Sequence, residues 1–412
     1  MSDADLVTSR SRYGARRRGW GSPAMRMLAA LAAYFDQGRL TVVAPDGASR
    51  RFGDAAPDAT PDATLVVHRP GFVYRVLRGG ALGFAEAYLD GDVDTPDLES
   101  LLALFLANGD ALGERWRGGV VARAARRLYH RFRPNSKRGS RRNIHAHYDL
   151  GNAFYAAWLD PSMTYSAAVF ADGDDLEAAQ RRKYRRLAER LELGPDRHVL
   201  EIGCGWGGFA VTAAAEYGSR VTAVTISEEQ YAYARRRIAE AGLDDRVEVR
   251  FQDYRDLDGH FDAVASIEMF EAVGEPWWPV YFEKLGDVVR PEGKVGLQVI
   301  TIDDAHFEDY RRNVDFIQRY IFPGGMLPSP QALEAAAARA GLEIRERFSF
   351  GLDYARTLRA WAEHFAQAWP EIRRLGFDER FRRLWSYYLA YCEAGFRAGT
   401  IDVEQTIFCR AG

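Results

Sequence analysis

The chain has 412 residues, with 55 Lys and Arg against 58 Asp and Glu, a formal net charge of -3, three cysteines and 47% apolar residues. This is the balance of a globular protein of two domains, since single cores stop growing at roughly 250 to 300 residues, and it excludes a disulfide scaffold, because Cys204, Cys392 and Cys409 are few and far apart. The acidic start Met1-Ser2-Asp3-Ala4-Asp5 lacks the apolar stretch of a secretory signal, and the longest apolar run, Met27 to Phe35, falls well short of the roughly 20 residues of a spanning helix, so a cytoplasmic protein is expected.

In chain order, residues 1–37 are expected to form a flexible N-terminal segment, rich in Arg, Ser and Gly up to about residue 24. A small α+β domain is expected over 38–110. Leu40-Thr41-Val42-Val43 and Thr64-Leu65-Val66-Val67 read as strands, separated by a Pro/Asp/Ala loop from Ala56 to Ala63, and Leu98 to Leu106 reads as a helix after Asp94-Thr95-Pro96. A basic helical linker is expected over 111–142. Between Arg115 and Arg142 there are eleven Arg or Lys and no Asp or Glu, so the rest of the chain is distinctly acidic. Trp116, Val120, Ala124, Leu128 and Phe132 recur every four residues, leaving Arg117, Arg123, Arg126, Arg127 and Arg131 for the other faces. Such a helix suits an anionic membrane surface, or equally a solvated linker whose apolar stripe packs on a neighbouring domain. Nucleic acid is not the expected partner, because the net charge is negative and no recognition motif accompanies the patch.

From 143 to 412 short apolar runs alternate with helical stretches. Val199 to Ile202, Val221 to Val224, Val247 to Phe251, Phe261 to Ile267 and Val295 to Ile300 read as strands, with helices such as Glu228 to Ala241 between them. Further strands at Ile344 to Phe350 and Val403 to Cys409, and helices after Tyr354 and Asp378, complete an α/β doubly wound, mainly parallel sheet. The sharpest local signal is Glu201-Ile202-Gly203-Cys204-Gly205-Trp206-Gly207-Gly208. Glycines after a first strand let the backbone turn tightly and approach a ligand. Gly-x-Gly-x-Gly-Gly departs from the Gly-x-Gly-x-x-Gly of dinucleotide enzymes, and Glu201 lies in the strand just before the turn; both favour S-adenosylmethionine over NAD or FAD, the alternative being a turn with no ligand. Cofactor contacts are expected from the ends of the next strands: Thr225, Ile226 and, one turn into the following helix, Gln230; then Gln252 and Asp253, where Asp253 accepts from an adenine amino group or merely begins a turn before Tyr254.

His147-Tyr148-Asp149-Leu150-Gly151-Asn152, Met163-Thr164-Tyr165-Ser166, the glycine loop, Thr225 to Gln230, Gln252 to Asp256, Met269-Phe270-Glu271, Tyr320 to Ser329 and Phe350 to Tyr354 resemble, in order, the cyclopropane-fatty-acid-phospholipid synthases. The likeness runs from about Gly38 to the C-terminus. It implies a C-terminal class I methyltransferase (Rossmann-like) fold, an N-terminal domain for lipid handling or homodimerisation, and peripheral attachment to the membrane that holds the substrate. It also implies transfer of the sulfonium methyl of S-adenosylmethionine to a cis alkene in an unsaturated phospholipid acyl chain, with Tyr165 and Ser166 joining the cofactor-binding set.

The carbocation left by that transfer must lose a proton, and water must be kept from it. Aromatic faces stabilise such cations; of Trp277, Trp278, Tyr281, Phe282, Phe307, Tyr310, Phe316, Tyr320 and Phe322, most are expected to be core or acyl-tunnel packing. The resemblance implies a bound bicarbonate as base, held by Glu271, Tyr354, the backbone of Ile300, and two positions where this chain departs from the family. Ala167 stands for a Cys used through its backbone, and Gln298 stands for a His. A glutamine donates to an anion but carries neither a proton nor a charge, so the base is either bicarbonate in a retuned site or a desolvated Glu271. A proton taken from the new methyl closes a cyclopropane, the expected product; one taken from the neighbouring chain carbon leaves a branched alkene, and a methylene- or methyl-branched fatty acid is the alternative product. A small-molecule methyltransferase and an inactive cofactor-binding lipid carrier are the remaining alternatives. His145 and His147 lack partners at metal-ligand spacing, no hydrolase signature is present, and Cys204 reads as buried structure.

Overall fold

The computed structural model describes residues 19–54, 56, 60–109 and 150–411. The basic linker, the hinge after it, His145 and the His147-Tyr148-Asp149 motif lie outside the described residues. The chain divides into two compact units, residues 1–128 with 377–398, and residues 129–376 with 399–412.

In the first unit four strands, β1 (Arg39–Val43), β2 (Ser49–Gly53), β3 (Asp62–Val67) and β4 (Val93–Asp94), form a sheet in the order β2-β1-β3-β4. Only β1 and β3 are parallel. The segment expected to be flexible to residue 37 is ordered from its described start: Pro23–Ala32 is a helix, with Pro at its first position, Ser22 accepting from Met25 N–H, and Met25, Leu28 and Ala32 buried. The helix Leu98–Ala107 begins where Asp97 caps Ser100 N–H.

The expected C-terminal domain is interrupted by one returning segment. The helix Glu379–Arg397, capped by Asp378, belongs to the first unit and packs on Leu98–Ala107. Its Arg383 donates to Asp94 at 2.8 Å and to the carbonyls of Tyr88 and Val93, and Tyr387 packs against Tyr88 at 5.7 Å. Its apolar face, with Trp385, Tyr387, Tyr388 and Leu389 buried, is visible in the sequence. Which layer it covers is set by partners nearly 300 residues away.

In the second unit seven strands are ordered β10-β11-β9-β8-β5-β6-β7, where β5 is His198–Ile202, β6 Arg220–Thr225, β7 Val247–Phe251, β8 Phe261–Ile267, β9 Val289–Ile302, β10 Leu342–Ser349 and β11 Ile401–Arg410. From β7 to β9 the ladder is parallel; β11 runs antiparallel to both neighbours. The near-continuous burial of β5, β6 and β8 is what a parallel sheet covered on both faces demands. The strand order reverses on either side of β5, which opens a crevice at the carboxyl ends of β5 and β8, where ligands bind in sheets of this kind.

Candidate active site

At the end of β5 the chain turns through Gly203, Gly205 and Gly207, with φ of 81°, 53° and 83°. These left-handed values explain the glycines. Gly203 and Cys204 N–H both donate to Val224 O, tying the turn to β6. A Cβ on Gly203 would lie 2.7 Å from Met269 Cγ, whereas one on Gly205 would meet nothing within 4 Å. The turn therefore presses on the loop after β8 on one side and opens onto space on the other. Glu201 is buried, accepts from Ala210 N–H, and has a second oxygen, Oε2, buried without a partner. A glycine cradle with an orphaned carboxylate oxygen beside it fits the amino-acid end of S-adenosylmethionine.

The other expected cofactor residues gather at neighbouring strand ends. Thr225 donates to Gln230 Oε1 at 2.9 Å, and Ser227 caps the helix Glu228–Glu240 by accepting from Gln230 N–H; Ile226 between them is half-buried. Gln252 N–H donates to Thr225 O, and its side chain donates to Asp256 O at 2.7 Å. Asp253 is buried in an ion pair: Arg255 donates to its Oδ1 at 2.8 Å and to its Oδ2 at 2.6 Å. Part of the acceptor capacity expected for adenine is thus taken by this arginine, which the sequence reading did not single out.

Around the loop after β8 the expected catalytic positions meet on two glutamates. Glu271 Oε1 accepts from Ile300 N–H at 2.6 Å, and its Oε2 is buried without a partner. Burial and the neighbouring Glu268 push its pKa up to about 8. Ala167, Gln298 and Tyr354 instead converge on Glu268, a residue the sequence reading passed over. Its Oε1 accepts from Ala167 N–H and from Gln298 Nε2, both at 2.8 Å, and its Oε2 accepts from the Tyr354 hydroxyl at 2.7 Å.

Behind this cluster Ser166 accepts from Lys183 Nζ at 2.6 Å. Lys183 is fully buried, and desolvation lowers its pKa to about 7 against the pull of Glu268, Asp160 and Glu201. Tyr165 lies in an aromatic wall with Tyr155, Trp158 and Trp361, at 5.4, 5.7 and 5.2 Å, and Tyr354 packs edge-on to Trp361. Among the aromatics weighed from sequence, Trp278, Tyr281 and Phe282 are core packing, as expected.

Glu201 and Glu271 make stability pH-dependent with a definite sign. Both have folded pKa values near 8, raised by burial from the ordinary 4.5. Between those values these two groups hold more protons in the native state than in the unfolded chain, so their contribution to stability is full below about pH 4.5 and declines toward 8. Lys183 acts in the opposite sense only above about pH 7. The contribution of these two groups to the melting temperature should fall from pH 5 to pH 7, and Glu271→Gln, which keeps an acceptor for Ile300 N–H, should make the measured slope over that range less negative in calorimetry.

This sheet order, the glycine turn at its switch point and the carboxylates beside it define a class I S-adenosylmethionine-dependent methyltransferase. The chain belongs to the mycolic acid cyclopropane synthetase family, whose description matches residues 135–406. It is 43% identical to the tuberculostearic acid methyltransferase UfaA1 of Mycobacterium tuberculosis, covering 87% of this chain and 86% of that one. It is 39% identical to the cyclopropane-fatty-acyl-phospholipid synthase of Escherichia coli, over 87% and 91%. Among solved structures, the mycolic acid cyclopropane synthase CmaA1 complexed with SAH and CTAB matches 65% of this chain and 97% of its own with a TM-score of 0.61 and 29% identity. Among the described residues no helix is long and apolar enough to cross a membrane.

Proposed function

We propose that the protein methylates the cis double bond of an unsaturated phospholipid acyl chain and then removes a proton from the resulting carbocation. The observation that carries this reading is the meeting of two glutamates, a tyrosine hydroxyl, a neutral amide and two backbone N–H groups beside the glycine cradle. S-adenosylmethionine, when bound, supplies an electrophilic methyl. Gly203, Gly205 and Gly207 would let it approach, Glu201 would face its ammonium, and Thr225, Ile226, Gln230, Gln252 and Asp253 would line its nucleoside end. Tyr165 and Ser166 would close the cradle, with the aromatic wall around Tyr165 keeping water out and presenting ring faces to positive charge. The cluster offers a proton acceptor, which the loss of a proton from the carbocation requires.

The steps to a cyclopropane and to a branched chain are shared up to the carbocation. The family resemblance supports the ring; the departures at Ala167 and Gln298, and 43% identity to a tuberculostearic acid methyltransferase, support the branch. Peripheral binding to an anionic bilayer through the basic segment, and lipid handling or dimerisation by the first unit, belong to the same proposal. The test is incubation with methyl-labelled S-adenosylmethionine and phosphatidylglycerol vesicles. Label should enter lipid with cis-unsaturated chains at least about 100-fold faster than fully saturated lipid, since only the alkene offers a π pair. Equal labelling of the two would overturn the reading, and gas chromatography with mass spectrometry of the released chains assigns ring or branch.

A further inference from the structure

Glu268 directly follows β8 and lies in the left-handed region, with φ of 48°, a conformation that disfavours any side chain and is held only where surroundings impose it. What imposes it is a set of hydrogen bonds to three remote segments. Glu268 N–H donates to Gln298 O, and the carboxylate receives Ala167 N–H, Gln298 Nε2 and the Tyr354 hydroxyl. The orientation of the Gln298 amide follows from a chain anchored on a group that can only donate. Arg186 donates to Gln405 Oε1 at 2.9 Å, so Gln405 Nε2 faces Lys183 O and Gln298 Oε1, which leaves Gln298 Nε2 facing Ala167 O and Glu268. Gln298 and Gln405 are completely buried, so the order of this relay is fixed by the fold.

We propose that the Glu268 carboxylate is the protein's own proton acceptor, seated among the donors that a bound bicarbonate would otherwise use, so that the reaction needs no added anion. This rests on the function proposed above. Glu268 Oε forms an O–H bond as a C–H bond of the methylated acyl cation breaks; the freed electron pair becomes the ring C–C bond or the π bond of the branched chain. The proton stays on the carboxyl until it returns to solvent. The arrangement also explains the departure at position 298: with the negative charge built in, the position needs a neutral donor, which glutamine is. Glu271 is less suited, because its carboxyl receives a hydrogen bond from Ile300 N–H and has its other oxygen without a partner, whereas three donors hold Glu268.

Glu268→Gly tests this without endangering the fold, since glycine relieves the positive φ. In carbon-dioxide-free buffer the unchanged protein should turn over as fast as with added bicarbonate. Glu268→Gly and Glu268→Gln should lose at least about 100-fold in rate, the usual worth of a general base, while S-adenosylmethionine affinity by calorimetry stays within about threefold. Formate or bicarbonate should restore Glu268→Gly at least about tenfold but not Glu268→Gln. Independently of activity, formate should raise the melting temperature of Glu268→Gly and leave the unchanged protein unmoved. A bicarbonate requirement in the unchanged protein, full activity in Glu268→Gly without added anion, or no formate shift in that variant overturns the assignment. If the unchanged protein labels no unsaturated lipid under any condition, the functional reading itself fails and this assignment falls with it.

Discussion

Gly203→Val should lower S-adenosylmethionine affinity by more than about 100-fold and abolish measurable turnover. Two terms act together. A side chain at φ of 81° is strained by roughly 1–2 kcal/mol, and valine is branched at the carbon that would lie 2.7 Å from Met269 Cγ and 2.9 Å from its Cβ. Met269 is held between Glu268 and Glu271, so its displacement moves both carboxyls. Overpacking of this kind adds roughly 1–3 kcal/mol; the free loop relieves both costs by shifting, and driving it back to the cofactor-binding geometry at about 2.7 kcal/mol corresponds to 100-fold. Gly205→Ala is the informative contrast. Its added methyl would meet nothing within 4 Å, so the melting temperature should stay within a few degrees while cofactor affinity falls about tenfold or more. Calorimetric titration and thermal unfolding of the two variants separate a damaged loop from an obstructed one. If Gly205→Ala binds the cofactor normally, the open space beside the turn is not where it sits.

That contrast shows which parts of the site can be read in a sequence. The glycine turn is local: a strand, a positive-φ turn and a helix start lie within eleven residues, and each leaves its own residue signature. The doubly wound sheet is nearly as legible, because buried parallel strands are written as apolar runs. By contrast β2, Ser49-Arg50-Arg51-Phe52-Gly53, is an exposed edge strand with no alternation, and only its pairing to β1 reveals it. Glu268 is harder still. Beside the conspicuous Glu271 it looks like one more charge at a strand end, and its donors come from 30, 86 and 101 residues away. Lys183 sits in Arg181-Arg182-Lys183-Tyr184-Arg185-Arg186, which reads as a solvated basic stretch. In the structure Lys183 is fully buried while Arg181, Arg182 and Arg185 form ion pairs at the surface. Helical spacing distinguishes these residues only once the buried face is known.

Lys183→Met should move the ascending limb of the pH–rate profile to higher pH and lower the rate at pH 7 by about tenfold or more, the scale expected when an opposite charge near an acid is removed. The groups facing Glu268 are Lys183 from the helix Leu176–Arg190, Tyr354 from the helix Gly351–Arg374, the amide of Gln298 on β9 and the neighbouring Glu271. Burial raises the Glu268 pKa, and among these groups only Lys183 opposes that with a positive charge; the rest oppose it through hydrogen bonds, apart from Glu271, which repels. Without the ammonium, Glu268 stays protonated to higher pH and a smaller fraction can accept a proton at neutrality. Methionine keeps most of the volume, so the fold is retained while Ser166 loses its donor. Lys183→Arg, which keeps the charge in a larger head group, should retain the position of the limb if it folds. An unshifted limb with a uniformly lower rate would mean that Lys183 only orders Ser166 and its loop, and that the charge on Glu268 is set by the three hydrogen bonds alone.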